Sequence, residues 1–293
     1  MAQDNVRVWK KISVFYALTT ALTAIFDAGD RAAPDNIIYV TGAMWSPAVA
    51  AFFTKMLFRE SIRDLGWQWG SGRYQILGYL LPLAYVLPVY LVVWLTGLGG
   101  FYNGAFVEKM TRDFGWSGLT PGIAILAYTA ITMTVGFVPK TARALGEEIG
   151  WRGFLVPELA KVVSFPMVGL ISGLMWALWH FPSILFSTYN AGTPSWFALS
   201  CFTVMVVATG FLYAWLTLRS GSLWPAAFIH GSHNMFVQLI FTPLTANTGS
   251  TPYIVDEFGI GMALTSVLVA LILCRKWPPE MGQQKVIARP ESV

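Results

Sequence analysis

The stretch YQILGYLLPLAYVLPVYLVVWLTGLG, residues 74–99, runs for 26 residues without a charged side chain. A helix that crosses the roughly 30 Å hydrocarbon core of a bilayer needs about 20 mostly apolar residues, so this stretch is long enough to span a membrane. Similar apolar runs lie on both sides of it, at about 12–27, 37–58, 120–139, 163–187, 195–218, 222–243 and 254–274. The sequence therefore predicts an all-α, polytopic membrane helix bundle with about eight transmembrane helices.

The composition of the chain supports this fold class. Of its 293 residues, 55% are hydrophobic and 12% are charged, whereas soluble domains carry about 25% charged residues. So few charges argue against a soluble enzyme, a nucleic-acid-binding protein and a disordered scaffold. The two cysteines, Cys201 and Cys274, both lie in apolar runs, and they predict neither a disulfide framework nor a cysteine-based metal cluster.

The cationic residues predict how the chain crosses the membrane, because Lys and Arg collect in cytoplasmic loops. With the N-terminus inside, 16 of the 19 Lys and Arg residues fall in cytoplasmic segments, and Arg31, Lys109 and Arg112 fall outside. We therefore expect both termini to lie in the cytoplasm. We also expect a single transmembrane domain over residues 1–276 and a disordered cytoplasmic tail over residues 277–293.

Two adjacent acidic residues interrupt the apolar pattern in LGEEIGWRGFL, residues 145–155. On a helix, the i,i+4 spacing of Glu148 and Arg152 brings their charges together on one face. Glu147 then points about 100° away and is available for proton transfer. The alternative is a salt bridge at the membrane interface that only anchors the end of the helix.

All three histidines lie in apolar runs, where an ionisable residue indicates a functional site by default. His180 follows Trp176 by one helical turn, and helix packing is an alternative explanation of both. His230 and Asn234 share a helix face in the segment HGSHN, and His233 lies close to that face. Imidazoles of this kind could bind a divalent metal ion, or an imidazole and an amide could donate hydrogen bonds to an oxyanion.

In this order, Glu-Glu-x-x-x-Arg at 147–152, an aromatic residue and a histidine at 176 and 180, and His-x-x-x-Asn at 230–234 resemble the CPBP family of intramembrane proteases. That family contains CAAX prenyl proteases and bacteriocin-processing and self-immunity proteins. The resemblance covers about residues 120–245, the expected catalytic core of an Rce1-like fold. Trp176 stands where the family usually has phenylalanine, and His233 is an additional histidine beside the motif.

The resemblance implies an endopeptidase that hydrolyses a peptide bond in a membrane-associated protein or peptide. Glu147, assisted by His180, would activate the attacking water, and His230 and Asn234 would donate to the oxyanion. Glu148 and Arg152 would hold the first helix of the site in place. The expected partners are this substrate and the lipid bilayer of a bacterial plasma membrane, and no nucleic acid.

The resemblance leaves the catalytic type open between a glutamate-dependent and a metal-dependent protease. The sequence has no His-Glu-x-x-His motif, but Glu147, His180 and His230 have the donor types that would suit a zinc ion. Lys140 and Arg143 precede Glu147 in a predicted cytoplasmic segment. From them we expect a cavity that opens to the cytoplasm, with the site near that leaflet.

Other classes of function remain as alternatives. A non-proteolytic immunity or scaffold protein of the same family would carry the same motifs, and a small-solute or proton transporter would use the Glu, Arg and His residues as a relay. A transporter is disfavoured because the two halves of the sequence show no paired pattern. A serine protease centred on Ser117 is disfavoured because a turn entering a helix explains the glycines around it.

Overall fold

A computed structural model describes residues 2–33, 36–187 and 189–276 of the chain. All eight predicted apolar runs lie largely in helices, so the all-α, polytopic helix bundle is confirmed. Six of the described helices are long and apolar enough to cross a bilayer: Gln3–Ala32, Ile37–Leu57, Gly72–Thr96, Pro121–Leu159, Phe165–Phe186 and Ser195–Ser220. The seventh run is helical over 224–244, and the eighth forms a helix of 17 residues. The predicted tail, 277–293, lies outside the described residues.

The α-helices are α1 (Ala2–Ala32), α2 (Ile37–Leu57), α3 (Gly72–Thr96), α4 (Gly104–Asp113), α5 (Pro121–Ile131), α6 (Phe137–Glu148), α7 (Val156–Leu159), α8 (Phe165–Phe186), α9 (Ser195–Ser220), α10 (Trp224–Met235), α11 (Thr242–Leu244) and α12 (Ile260–Lys276). Three π-helical segments join some of them end to end: Thr132–Gly136, Ile149–Leu155 and Phe236–Phe241. Short 3₁₀ turns lie at Ile62–Asp64 and Thr251–Tyr253. Two short strands, β1 (Gly100–Phe101) and β2 (Thr245–Ala246), pair antiparallel.

The long helices connect two ends of the bundle. At the end that carries the start of α1, Lys11 lies 2.9 Å from Glu60 and 2.6 Å from Glu158, and Lys55 lies 3.0 Å from Glu60. We call this end the N-terminal face. At the other end, which we call the opposite face, the β1–β2 ladder forms and the Thr251 hydroxyl donates to the Leu98 carbonyl at 2.7 Å.

One continuous helix, Pro121–Leu159, carries the acidic motif and runs through α5, α6 and α7. Its 39 residues extend about 58 Å at 1.5 Å per residue, nearly twice the roughly 30 Å hydrocarbon thickness. The helix must therefore cross the bundle obliquely. Pro139 cannot donate to the carbonyl of residue 135, and the π-helical turn just before it, Thr132–Gly136, accommodates this lost bond.

Glycines form one face of this oblique helix where it crosses α2. A Cβ atom at Gly146 would lie 2.6 Å from the Trp45 ring, and one at Gly150 would lie 2.5 Å from Pro47. Only hydrogen atoms fit at these two positions, so the helix backbone lies directly against α2. Glu148 and Arg152 are buried in the bundle interior and hydrogen-bond each other. Close glycine packing therefore fixes the orientation of the charged residues.

We expect Gly150→Ala to lower the melting temperature of the detergent-solubilised protein. The added methyl group would meet the Pro47 backbone at 2.7 Å, and overpacking of this kind costs about 1–3 kcal/mol, more than the up to about 1 kcal/mol gained from helix propensity. Gly122→Ala, on the same helix, is the matched control because nothing lies within 4 Å of its Cβ position. A Gly150→Ala protein at least as stable as Gly122→Ala would contradict this packing.

Candidate active site

A cavity of about 770 Å³ lies inside the bundle and brings together four of the six predicted site residues, Glu147, His180, His230 and Asn234. They come from three elements that are distant in sequence: α6, α8 and α10. Apolar and aromatic side chains form much of the wall, as is usual for ligand sites. Glu148 and Arg152 do not line the cavity but lie directly behind it, fully or almost fully buried.

Arg152 is held by one carboxylate and two aromatic rings. Its Nη1 donates to Glu148 Oε1 at 2.9 Å, as the i,i+4 spacing predicts. Its guanidinium carbon lies 4.2 Å from the ring centre of Trp176 and 4.4 Å from that of Tyr213. Because cation–π contacts strengthen when the cation is desolvated, the two rings compensate part of the cost of burying this charge.

His230 shares the Glu148 carboxylate with Arg152. The Nδ1 atom of His230 lies 2.8 Å from Glu148 Oε1, and a carboxylate can only accept, so Nδ1–H is the donor. A neutral imidazole that donates from Nδ1 has its lone pair on Nε2, and only the doubly protonated ring donates from both nitrogens. The Glu148 carboxylate is the counter-charge that would support this protonated form.

Glu147 is separated from this ion pair and faces the cavity. Its Oε2 accepts a hydrogen bond from the Trp176 indole at 2.9 Å, and only 2% of the residue is exposed. Trp176 therefore has a polar role besides packing, since the same ring contacts both Arg152 and Glu147. The two adjacent glutamates thus have different environments, one paired with cations and one hydrogen-bonded to a neutral donor.

His180 lies on α8 and lines the same cavity as Glu147. Its Nδ1 lies 2.9 Å from the Trp176 carbonyl oxygen, so Nδ1–H donates to the backbone. In the neutral ring this hydrogen bond fixes the tautomer that has its lone pair on Nε2. The ring also packs edge-on against Trp179 with the centroids 4.6 Å apart. The His180 ring is therefore held in one orientation by these contacts.

The additional histidine, His233, belongs to a second acidic cluster at the cavity wall. Its Nδ1 lies 3.0 Å from the Tyr85 hydroxyl, and its Nε2 lies 3.4 Å from Glu257 Oε1. Glu257 also accepts hydrogen bonds from Tyr189 at 2.5 Å and from Gln238 at 2.8 Å. Both histidines of α10 line the cavity, but each one contacts a different carboxylate.

Sequence reasoning missed Glu257 and Tyr189 as site residues. Glu257 lies in the loop before α12, close to the start of the last apolar run, and is 3% exposed. An ionisable residue at the start of a predicted span is a signal that could have identified it. Tyr189 lies in a connection between helices, where its sequence context gives no comparable signal.

The loop carboxylates Asp256 and Glu257 are adjacent and have opposite pKa shifts. Burial alone would raise the pKa of Glu257, but the hydrogen bonds from His233, Tyr189 and Gln238 outweigh it and lower the pKa to about 2. Burial, and then the charge of Glu257, raise the pKa of Asp256 to about 7. The pair therefore retains one firmly ionised carboxylate on the cavity side.

The positions of two cationic residues, Lys140 and Arg143, differ from the cytoplasmic segment to which the sequence assigns them. Lys140 and Arg143 line the cavity together with Asp27 and Arg31 from the end of α1, and Lys140 donates to Gln238 at 2.7 Å. Lys140 precedes Glu158 of the N-terminal face by 18 residues of one helix, or about 27 Å. The structure thus places Lys140 and Arg143 at the cavity, apart from the ion cluster around Lys11.

The residues that the sequence suggests for a zinc ion do not converge into a ligand cluster in the described part of the chain. Across 2–33, 36–187 and 189–276, no three His, Cys, Asp or Glu side chains converge closely enough to hold a metal ion. His180 and His230 direct their Nδ1 atoms to the Trp176 carbonyl and to Glu148, which leaves Nε2 as the nitrogen of each ring that a metal could use. The donor set Glu147, His180 and His230 shares a cavity without the geometry of a tetrahedral ligand set.

The fold and the cavity define an integral, multi-pass membrane protein with a buried acid–imidazole site. Residues 129–236 match a family described as type II CAAX prenyl endopeptidase Rce1-like, and this segment includes all six predicted site residues. The predicted resemblance to CPBP-type proteases is therefore confirmed for this segment. The chain is also 31% identical over 78 residues to CAAX prenyl protease 2 of Methanococcus maripaludis, a match that covers 25% of this chain and 28% of that protein. The chain thus aligns with little more than a quarter of the length of this curated relative.

We expect Glu257→Gln to weaken the acid dependence of thermal stability. The folded-state pKa of about 2 lies below the ordinary 4.5, so ionised Glu257 stabilises the fold above pH 4.5, and this contribution is lost as the pH falls towards 2. Melting temperatures measured in detergent across that range should fall less steeply for the variant than for the parent. Glu108→Gln, whose side chain is 77% exposed, is the control, and a variant slope equal to the parent's would refute the assignment.

Proposed function

We propose that this protein is an intramembrane endopeptidase that hydrolyses a peptide bond in a membrane-associated protein or peptide. The observation that carries the proposal is the separation of the two glutamates. Glu148 is committed to Arg152 and His230, whereas Glu147 faces the cavity that His180, His230 and Asn234 also line. The match of this same segment to a protease family supports it.

Glu147 acts as the general base in this proposal. A buried carboxylate next to a neutral indole donor has no cation of its own to hold its charge, which favours uptake of a proton. It takes that proton from a water as the water oxygen bonds to the substrate carbonyl carbon. His180 orients the same water through Nε2, since its Nδ1–H is bound to the Trp176 carbonyl.

His230 and Asn234 stabilise the oxyanion that forms on the carbonyl oxygen. His230 donates from Nε2 in its protonated form, which the Glu148 carboxylate supports from the other side of the ring. The Asn234 amide, one turn further along α10, supplies the second donor. The proton held by Glu147 then passes to the departing amine nitrogen as the C–N bond breaks, which leaves a carboxylate and an amine as products.

The chemistry proceeds here without a resident metal ion, because carboxylate and imidazole groups of the cavity supply the base and the oxyanion donors. Arg152, held behind the cavity, provides fixed positive charge close to Glu148. Its role in this proposal is to position Glu148, which in turn contacts His230.

Glu147→Gln should reduce cleavage of a membrane-peptide library by about 10²–10⁴-fold, because it removes the general base. His180→Ala and His230→Ala should also reduce cleavage, with products followed by mass spectrometry. Glu108→Gln, an exposed glutamate on α4, is the matched control and should cleave like the parent. Unchanged cleavage in all three site variants would overturn the proposed site. If no peptide is cleaved but the same variants alter proton or solute flux in liposomes, transport replaces proteolysis.

Treatment with a strong chelator, followed by removal of the chelator, should leave the rate of cleavage unchanged, and added zinc should not raise it. Metal content measured on the same preparation provides the control for complete removal. A loss of cleavage that zinc restores would show that Glu147, His180 and His230 rearrange around a metal ion.

A further inference from the structure

The described part of the cavity wall extends from the bundle interior to the opposite face and does not reach the N-terminal face. The exposed lining residues, which mark the mouth, come from the end of α1, the start of α2 and the end of α8: Arg31, Val40, Pro182, Phe186 and Ser187. Among the described lining residues, none comes from the segments 2–11, 55–73, 158–165 or 219–224, which form the N-terminal face. The opening therefore points away from the ion cluster around Lys11.

Large aromatic side chains close the other end of the cavity. Trp151, Phe154 and Phe15 are almost completely buried beneath the two glutamates, with Phe15 5.5 Å from Trp151 and 4.9 Å from Phe154 between ring centres. Beyond these rings lies the Lys11–Glu158 ion pair. These buried rings fill the interior between the glutamates and that ion pair, whereas the exposed lining residues at the opposite face mark the way in.

The two faces differ in positive charge. Eleven described Lys and Arg residues lie at the N-terminal face: Arg7, Lys10, Lys11, Lys55, Arg59, Arg63, Arg73, Lys161, Arg219, Arg275 and Lys276. Five lie away from the N-terminal face, and Arg31, Lys140 and Arg143 among them line the cavity: Arg31, Lys109, Arg112, Lys140 and Arg143. Arg152 is buried between the faces. Because Lys and Arg collect on the cytoplasmic side, the N-terminal face is the cytoplasmic one.

We propose that the cavity containing Glu147 opens to the extracytoplasmic side of the membrane, and that its substrate is a polypeptide segment presented from that side. The second half of this statement rests on the proposed endopeptidase function, and the first half does not. The sequence-based expectation of a cytoplasmic opening depended on Lys140 and Arg143. Those two residues lie at the cavity, far along the oblique helix from the cations with which they had been grouped.

The chemical character of the cavity lining indicates what kind of polypeptide segment would bind in it. Trp179, Phe202 and Phe186 provide apolar surface, whereas Asp30 and Arg143 are charged residues of both signs among the lining. Such a cavity accommodates apolar side chains inside and a charged flank outside. An exported or membrane-anchored peptide with its cleavage site close to the outer leaflet has this chemistry.

Cysteine labelling in intact cells tests the side of the opening. In a background with Cys201 and Cys274 replaced by serine, Ser187→Cys places a thiol at the cavity mouth, and Ser71→Cys places one at the N-terminal face; both positions are exposed. With a membrane-impermeant maleimide, we expect Ser187→Cys to be labelled in intact cells and Ser71→Cys to be labelled only in inverted vesicles. The reverse pattern would overturn the proposal, and a thiol count after denaturation confirms that both cysteines are present.

Blocking the cavity mouth with a bulky, membrane-impermeant maleimide tests whether the substrate enters there. Added to intact cells, it should cause a loss of peptide cleavage in the Ser187→Cys protein and no loss in the Ser71→Cys protein. Unchanged cleavage after full modification of Ser187→Cys would overturn the entry route. If the unmodified protein cleaves nothing, the proposed function fails, while the labelling result still decides the side of the opening.

Discussion

The buried guanidinium of Arg152 is the constraint on which the rest of the site depends. An ion in the interior of a helix bundle is expensive to desolvate, and it is retained only when its partners are well placed. Arg152 has three of them: the Glu148 carboxylate on its own helix, the Trp176 ring on α8 and the Tyr213 ring on α9. Removing a partner from such a buried pair typically costs about 3–5 kcal/mol, so these helices are held in register around one charge.

Because of this arrangement, the two adjacent glutamates, Glu147 and Glu148, have different partners. Neighbouring residues on a helix point about 100° apart, so only one of the pair can share a face with Arg152. The other, Glu147, reaches the cavity and accepts a hydrogen bond from the Trp176 indole N–H. Trp176 thus contacts the cation with its ring face and the second carboxylate with its N–H. A phenylalanine at 176 could make the first contact but not the second.

Patterns along one helix could be predicted from the sequence, and contacts between helices could not. The eight helical runs and the Glu148–Arg152 pair follow from spacing and hydropathy. The contact between His233 and Glu257 joins elements 24 residues apart through a loop, and periodicity carries no information about it. The side on which Lys140 and Arg143 lie depends on the tilt of Pro121–Leu159 and on its π-helical turns, which short sequence windows do not report.

Helix α10 couples the two acidic clusters, and this explains why the site needs a rigid α10. His230 contacts Glu148 behind the cavity, and His233, three residues later, contacts Glu257 at its wall. Gly231, between them, lies so close to Thr141 of α6 that a Cβ atom would be 2.2 Å from its hydroxyl. The helix therefore cannot rotate without breaking a carboxylate contact or colliding with α6. The two histidine contacts fix the rotation of α10 about its axis, and this rotation places Asn234 at the cavity.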